Sequence, residues 1–287
     1  MSAGAANAAH NSSNRFLRTL PTAQLAAAAQ SRLSALGARL NSPWDLTDNG
    51  GRVVTSATSH NVYVNCATTP AKCWGTVTLT PATFLRDLNV SQLLHVADQY
   101  LHESAPGQFD VSELKTTVKF ADSVPVPTAS VDDILSIVFS ASQFTHASGY
   151  HHIFHIFLPK GTDMCITATE CYSPDNPSTF VFCAFHSSVD FGPNQHVLFS
   201  VEPYQFVGGC VLPTQTRVID GTASSLSHEF FETITDPDGS SWINELTGNE
   251  IGDLCFGFRN GEQIGPRKYT VQEEYSNAIH DCTDRAR

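Results

Sequence analysis

At 287 residues and 41% apolar composition the chain can bury a large core, as one big domain or two modest ones, so disorder is not the default. A formal net charge of -12 sets it against nucleic acid and anionic membrane surfaces, which demand clustered Lys and Arg, and no apolar run approaches the ~20 residues of a membrane span. Charged residues make up only 15%, and Ser, Thr, Asn and Gly fill the surface instead, a habit common in secreted proteins.

Residues 1–42 are rich in Ala, Ser and Asn, and Thr22 to Leu40 is a good helix former with Leu25, Leu33, Leu36 and Leu40 on one stripe. We read this as an N-terminal helical segment or the remnant of a pro-segment, with residues 43–287 as one domain. The opening MSAGAANAAHNSS lacks a basic region and an apolar core, so it is not an intact secretory signal. Either a signal has been removed or export uses another route. Asn49-Gly50-Gly51 is a turn leading into a strand at Arg52-Val53-Val54, and His60 to Cys66 alternates as a second strand or its continuation.

Pro81 to His102 reads as a helix with an apolar side of Phe84, Leu85, Leu88, Leu93, Leu94, Val96 and Leu101; its histidines, His95 and His102, are read as structural or surface residues. Val111 to Val118 and Phe120 to Pro127 read as loop and short strand, with Pro125 and Pro127 limiting any ladder. Ser130 to Ser142 opens with a serine cap and two acids in its first turn, which predicts a helix. Tyr150 to Leu158 is the strongest strand: His151, Ile153, His155 and Phe157 share one face, His152, Phe154, Ile156 and Leu158 the other. Two histidines so spaced can ligate a metal, but a central strand with histidines bonded to neighbours is the blander and preferred reading. Thr179 to His186 and His196 to Tyr204 complete a sheet core, and His186, at a strand end, is the histidine outside any motif most suspected of facing a cleft.

The chain is organised around Ser227 to Cys255. In His228-Glu229-Phe230-Phe231-Glu232 a helix puts residues i and i+4 on one face, so His228 and Glu232 can reach one cation while Glu229 reaches a water on it. This is the logic of the His-Glu-x-x-His zinc hydrolases with the second His replaced by Glu. Glu250 and Asp253, in Glu250-Ile251-Gly252-Asp253-Leu254-Cys255, are the candidates for a third ligand; the gap from Glu232 to Glu250 resembles the return by which thermolysin-like enzymes deliver a glutamate. Asp253 could instead hold the imidazole of His228. Asp236 is a third possibility, but Pro237 follows it, and Asp236-Pro237-Asp238-Gly239 reads as helix stop and turn. By itself His-Glu-x-x-Glu is a weak pattern that solvated helices carry by chance. Phe230, Phe231 and the small residues ahead of them argue for burial, where carboxylates need a partner or a metal. Farther on, Tyr269 to Gln272 reads as a strand, and Tyr275 or His280 could donate to an oxyanion, although packing is the preferred role of both.

The cysteines are Cys66, Cys73, Cys165, Cys171, Cys183, Cys210, Cys255 and Cys282, an even set without a Cys-x-x-Cys pair. They suit disulfides and an oxidising compartment. Cys66 with Cys73 and Cys255 with Cys282 are the preferred pairs, leaving the others to pair among themselves. Asn11-Ser12-Ser13 and Asn89-Val90-Ser91 fit the glycosylation sequon.

Several pieces resemble the plant exordium, or phosphate-induced protein 1, family and its secreted microbial relatives. They are Asn49-Gly50-Gly51, Cys183-Ala184-Phe185-His186, His228-Glu229-x-x-Glu232, Asp236-Pro237 followed by Trp242, Glu250-Ile251-x-Asp253-Leu254-Cys255, and Cys282. The match runs in patches from about residue 49 to 282. It implies a secreted or wall-associated protein with a zincin-like core and names no reaction. Plant members carry Asn where this chain has Asp236, which makes Asp236 a poorer ligand than Glu250 or Asp253.

The expectation is a secreted, disulfide-bonded α/β (α+β) metalloprotein of zincin-like architecture, a mixed sheet packed against helices. One zinc ion would be held by His228, Glu232 and either Glu250 or Asp253, with Glu229 as general base and His186 and Tyr275 as further catalytic candidates. The substrate would be a peptide or protein. Two other classes remain open: an extracellular binding or signalling protein with a structural metal, and a metal-independent glycosidase using paired carboxylates such as Glu229 with Glu232 or Glu250.

Overall fold

The computed structural model describes residues 17–19, 42–66, 69–76, 78–101, 109–120, 126–212 and 215–286. The proposed helix at Thr22 to Leu40, the sequon at Asn11 and the histidine at position 102 lie outside these residues. The chain is mixed α/β, with several sheets and four disulfides.

Strands in chain order are β1 (Leu17–Thr19), β2 (Thr47–Asp48), β3 (Thr58–Val64), β4 (Asp110–Thr116), β5 (Thr128–Ser130), β6 (His152–Phe157), β7 (Asp163–Thr167), β8 (Glu170–Tyr172), β9 (Ala184–Asp190), β10 (His196–Glu202), β11 (Trp242–Ile243), β12 (Phe258–Ile264), β13 (Arg267–Gln272), β14 (Glu274–Ser276) and β15 (Asp281–Thr283). The helices are α1 (Pro70–Trp74), α2 (Pro81–Leu88), α3 (Val131–Thr145) and α4 (Val218–Thr235). The main sheet has six strands in the order β1-β9-β10-β6-β3-β4. Strands β10, β6, β3 and β4 run parallel; β9 pairs antiparallel with β10, and β1 antiparallel with β9.

The two-residue period of the central strands divides the core in two. Phe154, Ile156, Leu158, Val197, Phe199 and Val201 pack on one face with Ile134, Ile137, Val138 and Ala141 of α3. Ile153, Phe157, Leu198 and Tyr63 lie on the other, with Ile219, Ala223, Leu226, Phe230, Phe231 and Ile234 of α4. The central strands β6 and β10, buried along nearly their whole length, carry the apolar runs expected of parallel strands covered on both faces. Helix α3 starts at a capping box: the Ser130 hydroxyl takes the Asp133 N–H while the Asp133 carboxylate takes the Ser130 N–H. Helix α4 is buried from Ile219 to Thr235 and ends at Asp236, whose φ of -147° and ψ of 61° leave the helical region ahead of Pro237.

Local signals misplaced some boundaries. Pro81 to His102 is not one helix. Helix α2 stops at Leu88, and a 3-10 turn spans Leu94–Gln99. Between them Ser91 Oγ donates to the Leu88 carbonyl and accepts from the Leu94 N–H, so a short polar side chain takes over backbone pairing. Arg52 to Val54 is not strand; the pairing ahead of it is Thr47–Asp48 with Trp242–Ile243. The segment from Val111 is the edge strand β4, parallel to β3. The strand expected to end at His186 instead runs Ala184–Asp190. Cysteines pair 66–73, 165–171, 183–210 and 255–282, as expected for the first and last. No described helix is long and apolar enough to cross a membrane.

Candidate metal centre

The face of the sheet beneath α4 carries a polar row. In register across β9, β10, β6 and β3 stand His186, Ser200, His155 and Asn61, each without exposed surface. His155 is held between the hydroxyls of Ser200 (2.8 Å) and Ser59 (3.1 Å). Its bland reading therefore holds, and His151 lies exposed outside the strand.

Over this row α4 presents His228, Glu229 and Glu232, all with no exposed surface. His228 Nε2 lies 2.9 Å from Glu232 Oε1 and 3.7 Å from Asp253 Oδ1. His186 Nδ1 lies 3.4 Å from both Glu229 Oε2 and Glu232 Oε2, and His186 Nε2 is 3.8 Å from Glu250 Oε1. The candidate donors fall into two groups, His228–Glu232–Asp253 and His186–Glu232–Glu250, each with ligand atoms within 4.8 Å of one another. The sequence left Glu250 and Asp253 as rivals for one position. They occupy different positions, with Glu232 common to both groups. Asp236 is in neither group: its Oδ1 accepts the N–H groups of Ser240 and Ser241, both at 2.6 Å, and its Oδ2 is buried without a hydrogen bond.

Each imidazole is pinned from behind. His186 Nε2–H donates to the Asp236 carbonyl (3.4 Å), and His228 Nδ1–H donates to Gln272 Oε1 (3.3 Å). The Gln272 amide cannot flip, because its Nε2 donates to the carbonyls of Gly252 (2.8 Å) and Cys255 (2.7 Å). In the neutral rings so bonded, His186 Nδ1 and His228 Nε2 would carry the lone pairs. Neither makes a hydrogen bond, and the same holds for Glu232 Oε2, both oxygens of Glu250 and Asp253 Oδ1. Buried polar atoms are normally satisfied, and this many orphans facing one another form a donor set that a shared cation would satisfy.

The loop delivering Glu250 and Asp253 is fixed at several points. Asp253 N–H donates to Glu232 Oε1 (3.3 Å), and the Tyr275 N–H donates to the Ile251 carbonyl (3.1 Å). The 255–282 disulfide ties the loop to the C-terminal strand. Gly252 lies against the His228 ring: a Cβ there would stand 2.5 Å from Nδ1. The motif needs glycine at that point because the imidazole occupies the space of a side chain.

The groups perturb one another strongly. Burial alone would lower the His186 imidazolium, but Glu229 and Glu232 outweigh it and hold it up at about 10. His228 is likewise raised well above its ordinary value against the pull of burial, chiefly by Glu232. Glu232 is driven down to about 2, burial being overcome by the two histidines. Burial and the Glu232 charge push Asp253 up to about 8 and Glu250 well above the carboxylate range.

Two acids and an amide escaped the sequence reading. Glu202, which accepts from Ser200 (2.9 Å) and Ser225 (3.3 Å), is raised to about 8 by burial and then by Glu229. Glu274 is buried with neither oxygen hydrogen-bonded. A signal existed for Glu202: a carboxylate on the face of β10 shared with Leu198 and Ser200. Gln272 and Glu274 arrive with β13 and β14, which the sequence does not place beside α4. Tyr275 is not brought to the cluster; its hydroxyl donates to Asp45 Oδ1 (3.0 Å), and His280 Nδ1 pairs with the same carboxylate at 2.9 Å. Asp45 lies far away in sequence, so neither direction was legible.

Comparison with protein-family models, with curated proteins and with solved structures finds no match to this chain.

Proposed function

We propose that the chain is a secreted, metal-dependent hydrolase of zincin-like architecture, acting on peptide bonds. The observation that carries it is the pair of buried imidazoles, each pinned at one nitrogen and left with a bare lone pair among carboxylates at the other. A His-and-carboxylate donor set suits zinc. His228, Glu232 and Asp253 would hold the ion. The ion would supply Lewis acidity, lowering the pKa of a bound water from 15.7 toward ~7. Glu229, adjacent to His228 on α4, would take the proton from that water and pass it to the leaving amine. Glu229 Oε2 lies 3.4 Å from His186 Nδ1. Two carboxylates on one ion neutralise it more fully than a His-rich set does; Gln272 behind His228 and the Asp253 N–H on Glu232 are the contacts that offset this. The disulfides fit an oxidising, extracellular compartment, and the exordium-like motifs support the same location.

Glu229→Gln should abolish peptide hydrolysis in a library screen while metal stays bound. Loss of metal in that variant would overturn the assigned role.

One observation favours a second reading. The cluster residues have no exposed surface except Asp253, whose side chain is 15% exposed. A closed ion stapling the 250–255 loop to α4 would give a binding or signalling protein with a structural metal. Chelation would then lower Tm with no hydrolysis to lose. The same burial disfavours a glycosidase, whose carboxylates must flank a sugar ring.

A further inference from the structure

We infer that the centre is built for two divalent cations, with Glu232 bridging them. This rests on the metal-site reading above and goes beyond its single ion. Glu232 offers its two oxygens to different histidines: Oε1 stands 2.9 Å from His228 Nε2, and Oε2 stands 3.4 Å from His186 Nδ1. A carboxylate so divided is placed as a bridge. Around each oxygen the group is completed by a different acid, Asp253 on the His228 side and Glu250 on the His186 side.

One ion cannot serve both sets. Ligand bonds of ~2.0–2.1 Å at a tetrahedral centre put two donor atoms about 3.3 Å apart. The contacts of Glu232 with the two histidines, 2.9 Å to His228 Nε2 and 3.4 Å to His186 Nδ1, have that spacing. Yet among the described residues no group of mutually close donors contains both His186 and His228. Metal pairs in hydrolytic sites stand ~3.5–4 Å apart, a span that one carboxylate bridges.

Charge points the same way. The candidate ligands Glu232, Glu250 and Asp253 carry three negative charges when ionised, and both imidazoles are neutral as ligands. A single dication leaves one of the three unbalanced, and a second dication offsets it. Buried charge without compensation is costly, and no Lys or Arg pairs with Glu232, Glu250 or Asp253 among the described residues. Glu250 is the strongest single witness. It has no exposed surface, neither of its oxygens is hydrogen-bonded, and the His228 site does not use it. Glu229 Oε2 lies against His186 Nδ1, so it borders the second ion and faces the gap between the two.

The outer contacts are built for two ions as well. Each histidine has its own backing acceptor, the Asp236 carbonyl for one and Gln272 for the other. Each ring turns its other nitrogen to Glu232, His228 Nε2 at 2.9 Å and His186 Nδ1 at 3.4 Å.

The test is a zinc titration of the full, disulfide-intact chain after stripping with chelator. Bound metal is counted by plasma mass spectrometry after gel filtration, and circular dichroism confirms the fold of every variant. Two equivalents per chain are expected in the wild type. Glu250→Gln and His186→Ala should each keep one, Asp253→Asn and His228→Ala should each keep the other, and Glu232→Ala should keep neither. Manganese loading should give the spin-coupled spectrum of a close pair, which either single-site variant reduces to an isolated ion. One equivalent in the wild type, unaffected by Glu250→Gln, overturns the second ion and leaves the proposed function standing. Two equivalents that survive Glu232→Ala overturn the bridge. No binding at all removes both readings together.

Discussion

The two faces of the main sheet put the same strands to opposite uses. On one, Phe154, Ile156, Phe199 and Val201 meet an amphipathic α3 that begins at a capping box, and the contacts are apolar. On the other, His186, Ser200, His155 and Asn61 form a buried row beneath α4, which brings His228, Glu229 and Glu232 down onto it. The α3 face contributes stability through area alone. The α4 face buries carboxylates whose desolvation only a partner can offset. One sheet thus has a face that holds the fold and a face that the fold holds.

The comparison breaks most sharply at Glu232. Glu232→Ala should abolish metal binding, whereas Ile137→Ala on the α3 face should cost about 2–5 kcal/mol of stability, read by chemical denaturation, and leave metal content unchanged. If both variants lose metal, the two faces are not separable. Next in size is Gly252→Ala, which forces a Cβ to within 2.5 Å of the His228 ring. It should weaken zinc affinity by at least tenfold in calorimetry, with a circular dichroism spectrum like the wild type. Gln272→Leu removes the acceptor behind His228 and should lower affinity ~10–100-fold. An unchanged affinity would mean that the histidine is oriented by packing alone.

The pH dependence sharpens the same contrast. Asp253, raised to about 8 when no ion is bound, favours the folded state while protonated. Its stabilisation is present below the unfolded pKa of ~3.9 and is lost as pH rises toward 8. His186, raised to about 10, stabilises fully below ~6.5 and loses that contribution as pH climbs to 10. Metal-free protein should therefore lose Tm from pH 5 to pH 9. Metal binding requires deprotonated ligands and strengthens over the same range. The gap between metal-loaded and metal-free Tm should widen with pH; a constant gap would contradict the assigned ligands.

The smallest effect on metal affinity belongs to the staple. Cys282→Ser with Cys255→Ser opens a loop spanning 27 residues and should cost about 3.5 kcal/mol of stability by the chain-entropy argument. Metal affinity should fall only modestly, because Gln272 and the Tyr275 N–H still hold the loop.

What the sequence showed and what it withheld follow from the range of the interactions. His228, Glu229 and Glu232 were legible because helical spacing is local, and Glu250 and Asp253 because they follow in one short acidic run. The two faces of β6 were legible from simple alternation. His186 could be suspected from its place in a strand, but only the pairing of β9 with β10 sets it beneath α4. Gln272 and Glu274 depend on how the β12–β13 hairpin and β14 dock, and nothing near them in sequence records that. The partner of Tyr275 was hidden for the same reason: its acceptor, Asp45, comes from the other end of the domain. The break after Leu88 shows the reverse case, in which apolar periodicity continued while Ser91 took over the backbone pairing.

The most direct test is the metal content of the purified full chain, prepared without chelator, beside Glu232→Ala. The account predicts stoichiometric divalent metal in the wild type and none in the variant. A wild type that carries no metal, and takes none up when zinc is added, would contradict it: the α4 face would then be a cluster of carboxylic acids and imidazolium ions sharing protons, not a metal centre.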